Sequence, residues 1–174
     1  MNERILQTLE FTAVKNKIAN HLVTEPGKEI LATLVPTADH ETVSQWLAET
    51  EDGLKIQRLR GGIPIPKIEN IRPQMKRIEI GADLNGSELA QVTRVLTTTS
   101  EVERFFEDLA DSEIELLRLY QWQKQLVNLP ELTRQLKTAI DEDGRVTDDA
   151  SPELRTIRNN IRRSRSEEHT SELQ

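Results

Sequence analysis

Two basic groups are the residues of this sequence whose types and spacing suit chemistry. Residues 55–77 hold Lys55, Arg58, Arg60, Lys67, Arg72, Lys76 and Arg77 against the single acid Glu69. That is a local charge of +6 in a chain whose net charge is −7. Clustered cations of this kind are the electrostatic footprint of phosphate binding. Few aromatics are interleaved, so any contact would go to a nucleic-acid backbone and be insensitive to base sequence. The competing reading is a solvated face, or one paired with the acidic stretch Glu101 to Glu115. The second group is Arg155, Arg158 and Arg162, at steps of three and four and so on one helix face beside an apolar seam. Its alternative is the polar flank of a coiled coil.

Other groups fall short of a reaction. Gly27-Lys28 is followed by Glu29 and lacks the first glycine of a phosphate-cradling loop. Asp141, Glu142, Asp143, Asp148 and Asp149 form an acidic cluster, but Gly144 comes three residues after the first aspartate. A calcium loop needs ligands at positions one, three and five before its glycine. Two-metal chemistry needs carboxylates from separate elements. The cluster reads as a solvated hairpin turn. His21 and His40 lie nineteen apart with no H-E-x-x-H pattern, and read as surface or packing residues. Cysteine is absent, which excludes disulfides and thiolate metal sites. The sequence therefore predicts no catalytic, cofactor-binding or metal-binding residue.

The elements that must position the basic groups read as helices. Apolar residues recur at Ile5, Leu6, Leu9 and then at Val14, Ile18, Leu22, with Thr12 placed to cap the second helix. Glu25-Pro26-Gly27 reads as an interruption, after which Ile30, Leu31 and Leu34 form a short helix that stops before Pro36. Asp39 opens a long helix with Val43, Trp46, Leu47, Thr50 and Leu54 on one stripe, stopped by Gly61-Gly62. The run 61–71, GGIPIPKIENI, reads as an extended connector, since proline cannot sit in a central strand. A short helix spans Pro73 to Glu79. Asn85-Gly86-Ser87-Glu88 is a capping box. It opens the longest helix, striped by Leu89, Val92, Leu96, Thr99, Val102, Phe106 and Leu109. Further helices are predicted from Glu113 to Val127 and from Pro130, the latter with Leu132, Leu136, Ala139 and Ile140 inward. A turn at 141–144 leads into a short strand at Arg145-Val146-Thr147. Ser151-Pro152 then starts a helix whose seam is Leu154, Ile157, Ile161.

Composition agrees with helix: 36% hydrophobic and 30% charged residues, with seven glycines and seven prolines. Met1-Asn2-Glu3-Arg4 opens no secretory signal, and no stretch reaches the ~20 apolar residues of a membrane span. A soluble, cytoplasmic protein is expected. Residues 165–174, RSEEHTSELQ, match codon for codon the translation of a common sequencing-library adapter, and the apolar seam lapses there. Read as artefact, this segment removes one arginine and three glutamates and leaves a charge of −5.

Three stretches carry a family resemblance. They are Ile5-Leu6-Gln7-Thr8-Leu9-Glu10-Phe11 with Val14-Lys15; Leu59-Arg60-Gly61-Gly62-Ile63-Pro64 with Ile71-Arg72-Pro73 and Arg77-Ile78-Glu79-Ile80-Gly81; and Ile140-Asp141-Glu142-Asp143-Gly144-Arg145-Val146 with Ala150-Ser151-Pro152-Glu153-Leu154-Arg155 and Ile157-Arg158. Over residues 1–163 the chain resembles the bacterial type-two MutS family. Pro66-Lys67 departs from it, standing where relatives often have glycines.

The resemblance implies an N-terminal fragment: a helical core in 1–150, the truncated start of a lever or clamp helix in 151–164, and the adapter-like 165–174. The implied fold is mostly α, an elongated multi-helix core with a short hairpin-like turn near 141–150 and the start of a coiled-coil-type helix. Full-length members are implied to be ATP- and Mg-dependent DNA-binding endonucleases that dimerise through an ATPase domain. Their implied roles are suppressing recombination at branched DNA and splitting collided ribosomes. ATPase and nuclease are both missing from this stretch, so the part present is expected to hold no cofactor. The alternative is a non-catalytic helical interaction module.

Overall fold

The computed structural model describes residues 3–171, and the surroundings of side chains 6–165. The opening residues before Glu3, the side chain of Ile5 and the adapter-like side chains from 166 onward lie outside that description. Among the described residues nine α-helices form: α1 Glu3–Thr8, α2 Phe11–Ala19, α3 Glu25–Thr33, α4 His40–Arg60, α5 Arg72–Glu79, α6 Gly86–Asp111, α7 Leu119–Gln123, α8 Pro130–Ala139 and α9 Pro152–Ser171. A 3-10 turn spans Asp148–Ala150. None of these helices is long and apolar enough to cross a membrane.

The chain divides into two compact units. The first comprises residues 1–71 and 95–128, the second 72–94 and 129–174.

In the first unit, Thr24 Oγ1 accepts the Gly27 amide at 3.2 Å and Pro26 occupies the first turn of α3. Glu25-Pro26-Gly27 thus starts this helix and does not interrupt it, because proline is tolerated where the amide has no helical partner. Thr12 is not a cap: Glu10, in the left-handed region at φ 50°, precedes α2 and its carbonyl takes the Ala13 amide at 2.9 Å. Asp39 caps α4, its Oδ2 accepting the Thr42 amide at 2.8 Å and the Thr42 hydroxyl at 2.6 Å. Those bonds, the side-chain one first, hold the Asp39 carboxyl below its ordinary range. Gly61, at φ 78°, closes the same helix.

The core of this unit is Ile56 from α4 with Val102, Phe106 and Leu109 from α6, flanked by Ile63, Phe105, Ile114, Leu116, Leu119 and Tyr120. Phe106 meets Phe105 and Tyr120 edge-on, at 5.7 and 6.0 Å between ring centres. The α6 stripe predicted from sequence is therefore the buried one in its second half. The α4 stripe is not: Leu47 is 65% exposed and Trp46 42%, while Ile56 and Asp52 on another face are 1% and 2%. Periodicity shows that α4 has an apolar face but cannot say which face meets the core.

The predicted helix from Glu113 to Val127 is shortened to α7, and the cause is the end of α6. Glu113 takes φ 56°, its amide bonds to Ala110 O at 2.9 Å, and the Ile114 amide to Leu109 O at 3.1 Å. This is a Schellman stop, with the apolar residue after the turn packed back on the last helical turn. The reversal turns the chain away from the α6 axis, and no helix restarts for five residues. The chain from 114 to 118 runs irregularly until α7.

In the second unit, the capping box of α6 forms as read. Asn85 Oδ1 accepts the Glu88 amide at 3.0 Å, and Glu88 Oε2 accepts the Asn85 amide at 2.9 Å. The predicted strand and hairpin near 141–150 do not form: Ile140 and Val146 make one isolated antiparallel bridge and nothing extends it. Asp141 Oδ1 takes the amides of Asp143 and Arg145 at 3.0 and 2.8 Å, and the 3-10 turn begins at Asp148. The arms are too short for a ladder. Ser151 Oγ accepts the Leu154 amide at 3.1 Å with Pro152 opening α9, as the sequence predicts. In α8 the predicted inward face holds for Leu136 and Ala139, which are half-buried, but Leu132 is exposed and Thr133 is buried in its place. Ile140 is buried as expected.

Candidate nucleic-acid interface

The first basic run does not stay together as a free patch. Lys55, Arg58 and Arg60 occupy the last two turns of α4, where cations also favour the carbonyl end of the helix. Lys55 Nζ donates to the Glu115 carbonyl at 2.6 Å, and Arg60 Nη2 to Ser112 Oγ at 2.8 Å. Both therefore reach the acidic stretch suspected as a partner, but through a main-chain oxygen and a hydroxyl and not through its carboxylates. Arg58 and Lys67 are exposed and make no hydrogen bond or ion pair among the described residues.

The remaining members, Arg72, Lys76 and Arg77, sit on α5 in the second unit. Arg77 is engaged twice, by the Glu88 carboxylate and the Asp83 carbonyl. Glu88 thereby joins the α6 cap to α5. Arg72 is exposed, and so is Lys76, which has no polar partner among the described residues.

Arg155, Arg158 and Arg162 do share one face of α9, and that face is occupied. Arg158 Nη1 and Arg162 Nη2 grip the two oxygens of Asp148, each at 2.7 Å, and Arg155 pairs with Asp149. Arg158 also donates to the Val146 carbonyl at 2.9 Å. The Arg158 and Arg162 hydrogen bonds hold the Asp148 carboxyl below its ordinary range. So the acidic cluster is divided: Asp148 and Asp149 serve arginines, Asp141 serves backbone amides, and Asp143 pairs with Arg145 at 3.2 Å. No group of acids and histidines among the described residues converges as a metal site would.

Two structural residues escaped the sequence reading. Asp52 is buried, and its carboxylate accepts three amides: Leu117 at 2.8 Å on Oδ1, and Arg118 and Leu119 at 2.7 and 2.9 Å on Oδ2. A carboxylate at a helix start is favoured by the amide dipoles. Burial, and then the Asp52 charge, push the Tyr120 hydroxyl above its ordinary range. An aspartate four residues before Ile56, on the same helix face, was the available signal. The other is Gly144, at φ 81°, lying so close to Gly86 and Ser87 that a Cβ would stand 2.6 Å from the Ser87 backbone. Only glycine allows this turn to rest on the start of α6.

These features can be set beside known proteins. No protein-family profile matches the chain. It is 62% identical over 164 residues to an Enterococcus faecalis protein named Endonuclease MutS2, 94% of this chain and 21% of that one. The chain belongs to the MutS2 family. It is also 48% identical over 161 residues to the protein of that name from Levilactobacillus brevis, covering 92% of the chain and 20% of the relative. For the Lacticaseibacillus casei protein the figures are 46% over 162 residues, 93% and 20%. The chain thus spans about a fifth of the length of these MutS2 relatives. The family resembled by the three sequence stretches is the one to which the relatives belong.

Proposed function

We propose that this chain is the structural core of a MutS-like, ATP-dependent, DNA-binding endonuclease. The supporting observation is the 62% identity to a protein named Endonuclease MutS2, sustained over 94% of the chain. In this reading the whole cytoplasmic protein works with ATP and Mg, dimerises through an ATPase domain, and acts on branched or duplex DNA, on collided ribosomes, or on both. The helical units supply a scaffold and phosphate contacts, not catalytic groups. Arg58 and Lys67 in one unit and Lys76 in the other are the cations best placed to meet phosphates, being exposed and unpaired among the described residues. Their contacts go to the nucleic-acid backbone and carry no base preference.

Charge reversal at Arg58, Arg72 and Lys76 in the full-length gene product tests the assignment. Binding to duplex DNA or to ribosomes should weaken, and the salt dependence should flatten by roughly one logarithmic unit per lost phosphate contact. Binding unchanged to both would remove the first basic run from the interface.

A second reading, a non-catalytic interaction module, is favoured by the exposed apolar residues Leu47, Leu54, Ile80, Leu117 and Val127. Surfaces of this kind are covered by partners or by neighbouring domains. The two readings are compatible if the partner is the rest of the same protein.

A further inference from the structure

We propose that the 3-10 turn Asp148–Ala150 is an internal phosphate mimic, holding the arginine face of α9 closed until a nucleic-acid backbone displaces it. This rests on the nucleic-acid reading above and adds a regulated site to it. Arg155, Arg158 and Arg162 lie on one face over seven residues, roughly 10 Å of helix rise. Phosphates along one DNA strand advance about 3.4 Å each along the duplex axis but lie farther apart in space because the backbone winds round it, so the face spans about two of them. At present it holds two carboxylates. Asp148 presents both oxygens, one to Arg158 and one to Arg162, each at 2.7 Å, and Asp149 meets Arg155. Two oxygens of one anion shared by two guanidinium groups is the arrangement a bridging phosphate would take.

The turn lies against α8 as well as α9. Its own backbone bond, from the Ala150 amide to the Thr147 carbonyl, is long at 3.4 Å, and it has no side-chain cap. Both aspartate side chains direct their carboxylates at the arginines. All three pairs are partly solvent-exposed, the Arg162 side chain by 64%. Water screens exposed ion pairs and leaves each of them weak, so exchange of carboxylate for phosphate is within reach of ordinary binding energies.

The test compares the full-length gene product with its D148N/D149N form, by anisotropy of a short fluorescein-labelled duplex DNA across a salt series. Removing the mimic should tighten binding at least about threefold, since three exposed pairs no longer compete. Adding R155Q/R158Q/R162Q should abolish that gain. The E79Q/E142Q form makes the same change of charge at two exposed acids of the same unit, and should move affinity by less than about twofold because separated charges are screened. Affinity of D148N/D149N equal to or weaker than wild type overturns the proposal, and so does a gain that survives loss of the arginines. Hydrogen exchange on the unmodified protein gives a second arm should the variants fail to fold. Amides 148–150 should exchange faster with the duplex bound, and unchanged or slower exchange rejects displacement of the turn. A wild-type protein that binds no duplex counts against the functional reading, whereas D148N/D149N then gaining binding still supports the mimic.

Discussion

Asp52 holds residues 117–119 in place. Its carboxylate satisfies three consecutive main-chain donors that no helix or strand provides for, and it does so with 2% of its surface exposed. Replacing it by alanine leaves those amides without a partner beside the aromatic cluster. Asp52→Ala should cost roughly 3 kcal/mol or more in urea denaturation. Asp52→Asn, which keeps one accepting oxygen, should cost less. Equal loss in the two would mean that side-chain volume, not amide satisfaction, matters there. Asp148 offers a test of a different kind. Its folded-state carboxyl lies below the ordinary aspartate value of 3.8, owing first to the Arg158 and then to the Arg162 hydrogen bond. A depressed carboxyl adds stability that is present above the unfolded value and lost as pH falls through the folded one. Stability should therefore decline from just below pH 4 downward, and Asp148→Asn should flatten that part of the curve. A carboxyl titrating at its ordinary value by NMR would show that the arginine grip is absent in solution.

At the scale of elements, ends are better specified than faces. The caps at Asp39, Asn85 and Ser151, and the stop at Gly61, act within three or four residues and form as read. The end of α6 was not legible in the same way, because a glutamate fills the left-handed position where glycine or asparagine is customary. That substitution has a measurable consequence. Glu113→Gly should stabilise the chain by about 0.5–1 kcal/mol, relieving a positive φ that costs an L-residue roughly 1–2 kcal/mol, less the entropy gained by the unfolded glycine. A melting temperature unchanged or lowered would mean that the glutamate has a compensating contact. Glu113 also explains why a helical pattern running to Val127 yields only the short α7: Ile114 and Leu116 pack into the first unit's core from an irregular segment, and Leu119 from the start of α7.

Among the described residues many large apolar side chains remain uncovered, Ile80 at 80% and Val127 at 70% among them. In the proposed reading, the rest of a protein of the relatives' length supplies neighbours to those faces, since this chain spans about a fifth of them. The 174-residue chain alone should associate as its concentration rises, measured by sedimentation velocity, and a version extended to the relatives' length should show less of it. A chain that stays monomeric at high concentration would argue that these faces are individually too small to dock. By itself the sequence determined the helical class, most helix boundaries, the α6 core stripe, the extended connector and the family. Those depend on local signals and on linear identity. Only the tertiary structure decided which face of α4 is buried, that 114–118 is not helix, and that no hairpin forms at 141–150. Asp52 meets its amides across 65 to 67 residues, and Gly86 and Gly144 must be small because they meet each other. Charge is the clearest case: the three arginines of α9 look free along the chain, and folding sets Asp148 and Asp149 against them, because a 3-10 turn brings the carboxylates back over the helix that follows.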